Sequence, residues 1–317
     1  MVEERRHPVG GEDYPRALAE FDEWCSSEAA CEAYLRELRW PHGFQCPACG
    51  GTRGWETGRG LLRCRSCSRQ TSVTAGTLFE GTRTSLRLWF QAAWYLTNQK
   101  HGVSALGLQR VLGLGSYQTA WAWLHKLRRT MVRPDRERLT GEVEVDETFL
   151  GAPDEEVDGR ATDRALIVIG AEVRGRGTGR IRMAQVADAS AHSLIGFIKR
   201  SVSEGATVRT DGWSGYVPLP GHGYRHRPTS LRATRLPAHR AMPRVHRVAS
   251  LLDRWWLGTY HGGLSMEHLP YYLDEFAFRF HRRTAKARGL LFYRRLQQAV
   301  QASPTPYHAI RAPDPNR

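Results

Sequence analysis

Apolar positions recur at the helical period over residues 15–40, where Leu18, Phe21, Trp24 and Cys25 are followed by Ala30, Tyr34, Leu35 and Leu38. Pro41 ends that run. The same period fills residues 84–131. Leu86, Trp89, Phe90, Ala93, Trp94 and Leu96 mark one helix, and Leu106, Leu108, Val111 and Leu112 a second. Ala120, Trp121, Trp123, Leu124 and Leu127 mark a third. Thr84 or Ser85, Ser104 and Ser116 stand where N-caps belong, and Gly113-Leu114-Gly115 separates the last two helices. At Gly141–Gly151, GEVEVDETFLG, the period drops to two. Glu142, Glu144 and Asp146 then share one face of a strand, while Val143, Val145 and Glu147 share the other. Residues 165–173 (ALIVIGAEV) and 181–187 (IRMAQVA) read as further strands around the loop 174–179, RGRGTG. An amphipathic helix with Leu194, Ile195, Ile198 and Val202 follows, then a short strand over Thr207–Asp211. Residues 217–245, rich in Pro, Gly, His and Arg, read as a connection with a strand near Tyr224–Arg227. Val245–Leu257 is helical. A later helix carries Leu269, Tyr272, Leu273, Phe276 and Phe280, with Glu275 at the margin of its stripe. A basic helix over 288–300 and a loose tail complete the chain.

Two cysteine pairs change the picture first. Cys46-Pro-Ala-Cys49 and Cys64-Arg-Ser-Cys67 are separated by fourteen residues. Each pair places two thiolates on one tight turn, and a hairpin between them brings four sulfurs to a structural zinc ion. Disulfides are disfavoured by the paired spacing and by an intracellular setting. Cys25 and Cys31 are core thiols of the preceding helix.

The chain has 317 residues, is 41% hydrophobic and carries a net charge of +14. That is enough for two or three folded domains, and the excess of positive charge points to a polyanionic partner. No apolar run is long enough for a membrane span and no signal peptide is legible, so a soluble cytoplasmic protein, associated with the nucleoid, is expected. With this charge, a short helix, a glycine turn and a basic third helix read as a helix-turn-helix with Tyr117, Gln118 and Thr119 towards DNA. An ordinary three-helix bundle has the same pattern.

Acids crowded on one strand repel each other, and a divalent cation relieves that repulsion. A solvated edge strand is the alternative for GEVEVDETFLG taken alone. Three strands, a helix and a fourth strand, with acids on the first and at the end of the fourth, describe a ribonuclease-H-like α/β sheet. Asp146 and Asp211 would then be neighbours and share a metal. Glu275 would project as a third ligand, or else pair with Arg279 one helical turn on.

Several stretches resemble the IS1595 family of insertion-sequence transposases, whose catalytic part is called ISXO2-like. They are CEAYLRELRWPHGFQCPACG, CRSCSRQTSVTAGTLFEGT, GEVEVDETFLG, RTDGWSGY and HRVASLLDRWWLGTYHGGLSMEHLPYYLDEFAFRFHRR. The resemblance implies a DDE-type transposase with Asp146, Asp211 and Glu275 as acids for Mg²⁺ or Mn²⁺, and with His261 as the histidine between the second and third acids. It implies DNA partners, namely terminal inverted repeats and target DNA, and a homo-oligomer. Asp253 and His281 depart from the family pattern, in which Lys and Asn are common at these places. The implied organisation is an N-terminal helical segment (1–43), a zinc ribbon (44–80), a helix-turn-helix-like region (81–133), a ribonuclease-H-like catalytic domain (140–300) and a loose tail (301–317). A zinc-ribbon DNA-binding protein without catalysis, a degenerate transposase copy, remains the alternative.

Overall fold

The computed structural model describes residues 7–133, 136–151, 164–229, 238–261 and 266–311. The chain divides into two compact units, the described residues up to 131 and from 285 on forming one and those of 132–284 the other.

The first unit begins with α1 (Leu18–Trp24) and α2 (Glu28–Arg39). Ser27 starts α2, its Oγ accepting the Ala30 N–H at 3.2 Å. A three-stranded antiparallel sheet follows: β1 (Gly54–Glu56), β2 (Leu62–Cys64) and β3 (Gln70–Thr71), in that order. Three helices come next, α3 (Leu86–Asn98), α4 (Ala105–Leu112) and α5 (Tyr117–Arg129). The N-terminus of α3 is held twice. Ser85 Oγ takes the Leu88 N–H, and the Glu28 carboxylate takes those of Leu86 at 2.6 Å and Arg87 at 3.3 Å. Ser104 caps α4, and Gly113 ends it at φ 62, a conformation that favours glycine.

This three-helix region differs from the sequence expectation in its surface. Ser116 precedes α5 without a capping side-chain bond; its hydroxyl donates to Gln118 Oε1 at 2.8 Å. Leu106 and Val111, expected inside, are exposed. Arg128, near the basic end of α5, is 1% exposed, and Lys126 lies over the Trp89 ring at 5.9 Å. Tyr117 and Gln118 do stand exposed.

Near the other end of the chain, α10 (Arg288–Gln301) belongs to this unit and not to the domain expected to run to residue 300. Phe292 on α10 is fully buried against Phe21, Trp94 and Tyr34, with ring centroids 5.5, 5.3 and 6.5 Å away. Chain order cannot show such a return; the apolar stripe of α10 needs a partner, and α2 and α3 supply it. The segment expected to be a loose tail carries a short helix, α11 (Tyr307–Arg311), anchored by the buried Ile310. Residues from 312 on lie outside the described residues.

The second unit is a five-stranded mixed sheet covered by helices on both faces. Its strands are β4 (Glu142–Leu150), β5 (Ala165–Arg174), β6 (Gly177–Val186), β7 (Thr207–Thr210) and β8 (Arg225–Pro228), in the order β6-β5-β4-β7-β8. β4, β5 and β6 are antiparallel neighbours, while β7 runs parallel to β4 and β8 parallel to β7. The expected loop 174–179 contracts to Gly175-Arg176, because Gly175 at φ 52 permits a two-residue hairpin turn. One face packs α6 (Ala191–Ser201) through Leu194, Phe197 and Ile198 onto Val143, Val145, Val168 and Val208. The other face packs α8 (Pro243–Tyr260) and α9 (Leu269–His281) onto Ile167, Ile169 and Ala171. The single helical turn before α8, Ala238–Ala241, is α7. β5 is therefore buried on both sides, which explains its nearly unbroken apolar run. Among the described residues no helix is long and apolar enough to cross a membrane.

Candidate functional site

Two places gather chemistry, one in each unit. In the first, Cys46, Cys49, Cys64 and Cys67 bring their sulfurs within 4.8 Å of one another. Cys46–Cys67 and Cys49–Cys64 are each 3.6 Å apart. A tetrahedral zinc with bonds of about 2.3 Å needs sulfurs about 3.8 Å apart, so the donor set fits. The two knuckles are built alike. Gly50 N–H donates to Cys46 O, and Ser68 N–H to Cys64 O. Gly50 and Ser68, the residues four after each first cysteine, both have positive φ. The backbone N–H of Cys67, ahead of that of Ser66, holds the Cys64 thiol down at about 6, as a metal-binding thiolate requires.

In the second unit the acids of β4 separate by what each meets. Glu142 accepts from Arg209 at 3.2 Å. Glu144, fully buried, accepts the backbone N–H groups of Arg244 at 2.7 Å and Val245 at 3.1 Å, and so caps the first turn of α8. A carboxylate there meets unpaired N–H donors and the positive end of the helix. Asp146 is half-buried. Its Oδ1 accepts the Glu147 N–H at 3.0 Å, and its Oδ2 lies 3.5 Å from His246 Nε2, on the first turn of the same α8. Burial, then the charges of Glu147 and Asp211, push the Asp146 carboxyl up to about 7. On the opposite face, Glu147 Oε2 accepts the hydroxyl of the buried Tyr216 at 2.8 Å. Burial also raises the Glu147 carboxyl, although the Tyr216 bond opposes it.

Asp211 follows the last residue of β7. The β4–β7 register pairs Glu142 with Thr207 and Glu144 with Arg209, an offset of 65 positions. The same offset separates Asp146 from Asp211, so the register carries both to the same edge of adjacent strands. Gly212 at φ 88 turns the chain there, and Asp211 Oδ1 accepts the Trp213 N–H at 2.9 Å. Asp146, Glu147 and Asp211 line one groove of about 670 Å³ together with Asp188, Phe149 and Trp213. Asp188 is already engaged by Ser190 N–H and Ser193 Oγ at the start of α6.

Glu275 and His261 are not brought to this groove. Glu275 is fully buried, not marginal, on α9. Arg279 donates to its Oε1 from Nε at 2.9 Å and Nη2 at 2.6 Å, and Tyr260 Oη donates to its Oε2 at 3.2 Å. The pairing with Arg279 one turn on, the alternative reading of this acid, is therefore present. Tyr260 closes α8 at the end opposite His246. Fourteen residues of helix separate them by about 21 Å, which places Glu275 at the far end from Asp146. His261 is the exposed left-handed cap of that same far end, at φ 52. His246, which meets Asp146, drew no attention in the sequence because nothing local marks it. Its partner stands 100 positions earlier. Among the described residues, the four cysteines are the one group of three or more ligand-type side chains close enough to share an ion.

Residues 138–281 match the family model of the ISXO2-like transposase domain, and residues 26–70 match that of the transposase zinc-ribbon domain. The chain is also similar to an uncharacterized protein in transposable element ISH50 of Halobacterium salinarum. The two are 29% identical over 213 residues, which cover 61% of this chain and 70% of that protein. The 138–281 match lies within the second unit, and the 26–70 match spans α2 and the ribbon strands.

Proposed function

Because the chain belongs to the IS1595 family of ISXO2-like transposases, we propose that it is a DNA transposase of the DDE type that cleaves and joins DNA strands. The observation that carries this reading is the meeting of Asp146 and Asp211 in one groove within the family-matched segment. The sheet order β6-β5-β4-β7-β8, with an antiparallel meander followed by parallel strands, supports a ribonuclease-H-like catalytic domain. In that reading the first acid stands on the central strand and the second on its parallel neighbour.

Asp146 and Asp211 are the residues that would hold divalent Mg²⁺ or Mn²⁺, and their crowded charge beside Glu147 fits a cation. Bound there, the cation supplies activation of an attacking water or 3′-hydroxyl and stabilisation of the leaving 3′-oxygen. The third position goes to His246, which offers a nitrogen beside Asp146. Glu275 is engaged in a buried ion pair and His261 caps the far end of α8, so neither is carried forward. The phosphoryl transfer is an in-line displacement: the attacking oxygen bonds to phosphorus as the 3′-oxygen leaves, and no Ser, Tyr or Cys nucleophile enters. DNA would be the partner, both element ends and target, bound by a basic chain with Tyr117 and Gln118 exposed on α5. A homo-oligomer acting on the nucleoid accommodates the joining of two ends.

The test is strand transfer by the purified zinc-loaded chain, with Mg²⁺ or Mn²⁺ and DNA carrying the repeats that flank its gene. Asp146→Asn and Asp211→Asn are expected to abolish joined products and leave DNA binding intact. A wild-type chain that binds but never cuts in either metal would sink the catalytic reading in favour of a degenerate, DNA-binding copy, a reading that Asp253 at the usual Lys position favours.

A further inference from the structure

Two large aromatic rings stand open to solvent in the groove that carries Asp146 and Asp211. Phe149 is 62% exposed and Trp213 is 50% exposed, and both line the groove. Their placement follows from the chain. Phe149 is two residues beyond Glu147 on β4, so strand alternation puts both on one face. Glu147 accepts from Tyr216, which follows Trp213 by three residues in the loop after Asp211. The two rings therefore rim the same side of the groove, one from the strand of Asp146 and one from the loop of Asp211.

Trp213 is also fixed. Its indole N–H donates to Ala189 O at 2.8 Å, and its backbone N–H donates to Asp211 Oδ1 at 2.9 Å. With the indole N–H occupied, the ring has its faces to offer and no hydrogen-bond donor. Apolar faces held in water beside a functional groove are unfavourable until something covers them.

The chemistry of the groove narrows what that is. Asp146, Glu147, Asp188 and Asp211 line it together with Arg164, so the acids take a phosphate only through a bound cation and leave the apolar rings to an uncharged group. A volume of about 670 Å³ is enough for one or two nucleotides. A flat, uncharged, aromatic group fits between the rings and the acids. Resting on the transposase reading above, we propose that Phe149 and Trp213 form a stacking site for one unpaired nucleobase next to the reacting phosphate. Stacking of this kind is indifferent to base identity, because every base has a π-face. The site draws a nucleotide out of the duplex beside the bond to be cut, and the energy of stacking offsets the loss of pairing.

The experiment uses the full-length zinc-loaded chain and duplexes ending in the repeats that flank its gene, intact or with an abasic nucleotide placed in turn at each terminal position. On intact DNA, Trp213→Ala and Phe149→Ala are each expected to slow cleavage by about tenfold or more. Trp213→Phe keeps a ring but loses the bond to Ala189, and is expected to recover part of the cleavage that Trp213→Ala loses. With the abasic nucleotide at one particular position, no base has to be unpaired, and the alanine variants should converge on the wild type. A merely structural role for these rings would not respond to that DNA. Alanine variants that cut intact DNA as fast as wild type, or a deficit equal at every abasic position, would overturn the stacking site and leave the transposase reading standing. A wild-type chain that cuts none of these duplexes overturns both. Should Trp213→Ala fail to fold, Phe149→Ala carries the same comparison, since that ring is mostly in solvent.

Discussion

Glu142, Glu144 and Asp146 alternate along one face of one strand, and their roles diverge because a carboxylate acts according to what it meets. Glu142 pairs with Arg209, Glu144 caps α8, and Asp146 faces the groove and His246. The alternation was legible in the sequence, and so was the presence of Asp146 and Asp211 as a pair. The division of labour was not, since the partners of Glu144 lie a hundred positions away. Replacing His246 by Ala is expected to lower cleavage on the order of 10- to 100-fold. Imidazole suits softer cations than Mg²⁺, so His246→Glu should shift metal preference from Mn²⁺ towards Mg²⁺ in a metal titration of the cleavage rate. Unchanged preference in that variant would remove His246 from the ligand set. His281, which stands where the family commonly has Asn, has its own constraint. The Ile181 N–H donates to His281 Nε2 at 2.9 Å, so the ring must be neutral in the fold. Burial, then the nearby Arg182 and Arg282, hold it down at about 4. An unfolded His binds its proton near 6.5, so the unfolded state carries more protons between these values. Stability is therefore present above about 6.5 and is lost as pH falls towards 4, by on the order of 2–3 kcal/mol. His281→Asn keeps an acceptor without a titrating proton and should flatten this part of a melting-temperature profile. Asp253 is half-buried on α8, where burial raises its carboxyl; nothing in the structure explains an acid there.

At the scale of elements, α8 acts as a ruler. Its first turn is pinned to β4 by Glu144 and brings His246 to Asp146. Its last residue, Tyr260, reaches Glu275, and its cap is His261. Sequence reading found this helix and the apolar stripes of α8 and α9. Periodicity puts Glu275 at the border of its stripe because it ranks positions by the residues around them, and the acid's partners, Arg279 and Tyr260, do not show in that ranking. The same limit applies to α5, whose basic end includes Arg128, a charge that periodicity alone does not place inside. The zinc ribbon was legible almost completely, because its signal is spacing and its geometry is local. One residue in it is less than ideal. Ser68 occupies the left-handed position that Gly50 occupies in the other knuckle. Holding a non-glycine residue there is unfavourable by roughly 1 kcal/mol. Ser68→Gly should therefore slow the loss of zinc to a chelator, and a faster loss would show that the Ser68 side chain supports the knuckle in some other way.

At the scale of the molecule, the chain leaves its first unit after Met131, builds the second, and returns at Ala285 to complete the first. The returning helix contributes Phe292, a fully buried ring among Phe21, Tyr34, Phe90 and Trp94. That aromatic core cannot form from residues 1–131 alone, so the first unit is completed only once most of the chain exists. The core of the second unit is built from residues 132–284 and contains no part of α10. Truncating Phe292 to Ala removes a large buried ring and should destabilise the first unit by about 3–5 kcal/mol, which is a large part of the stability of a unit this size. The two units then respond differently. Hydrogen exchange of the full-length variant should show protection lost across α2, α3 and α10 while β4, β5 and α8 keep theirs. Loss of protection in both units together would mean that the chain unfolds as one cooperative body, and the division at Met131 and Ala285 would then describe packing without describing stability.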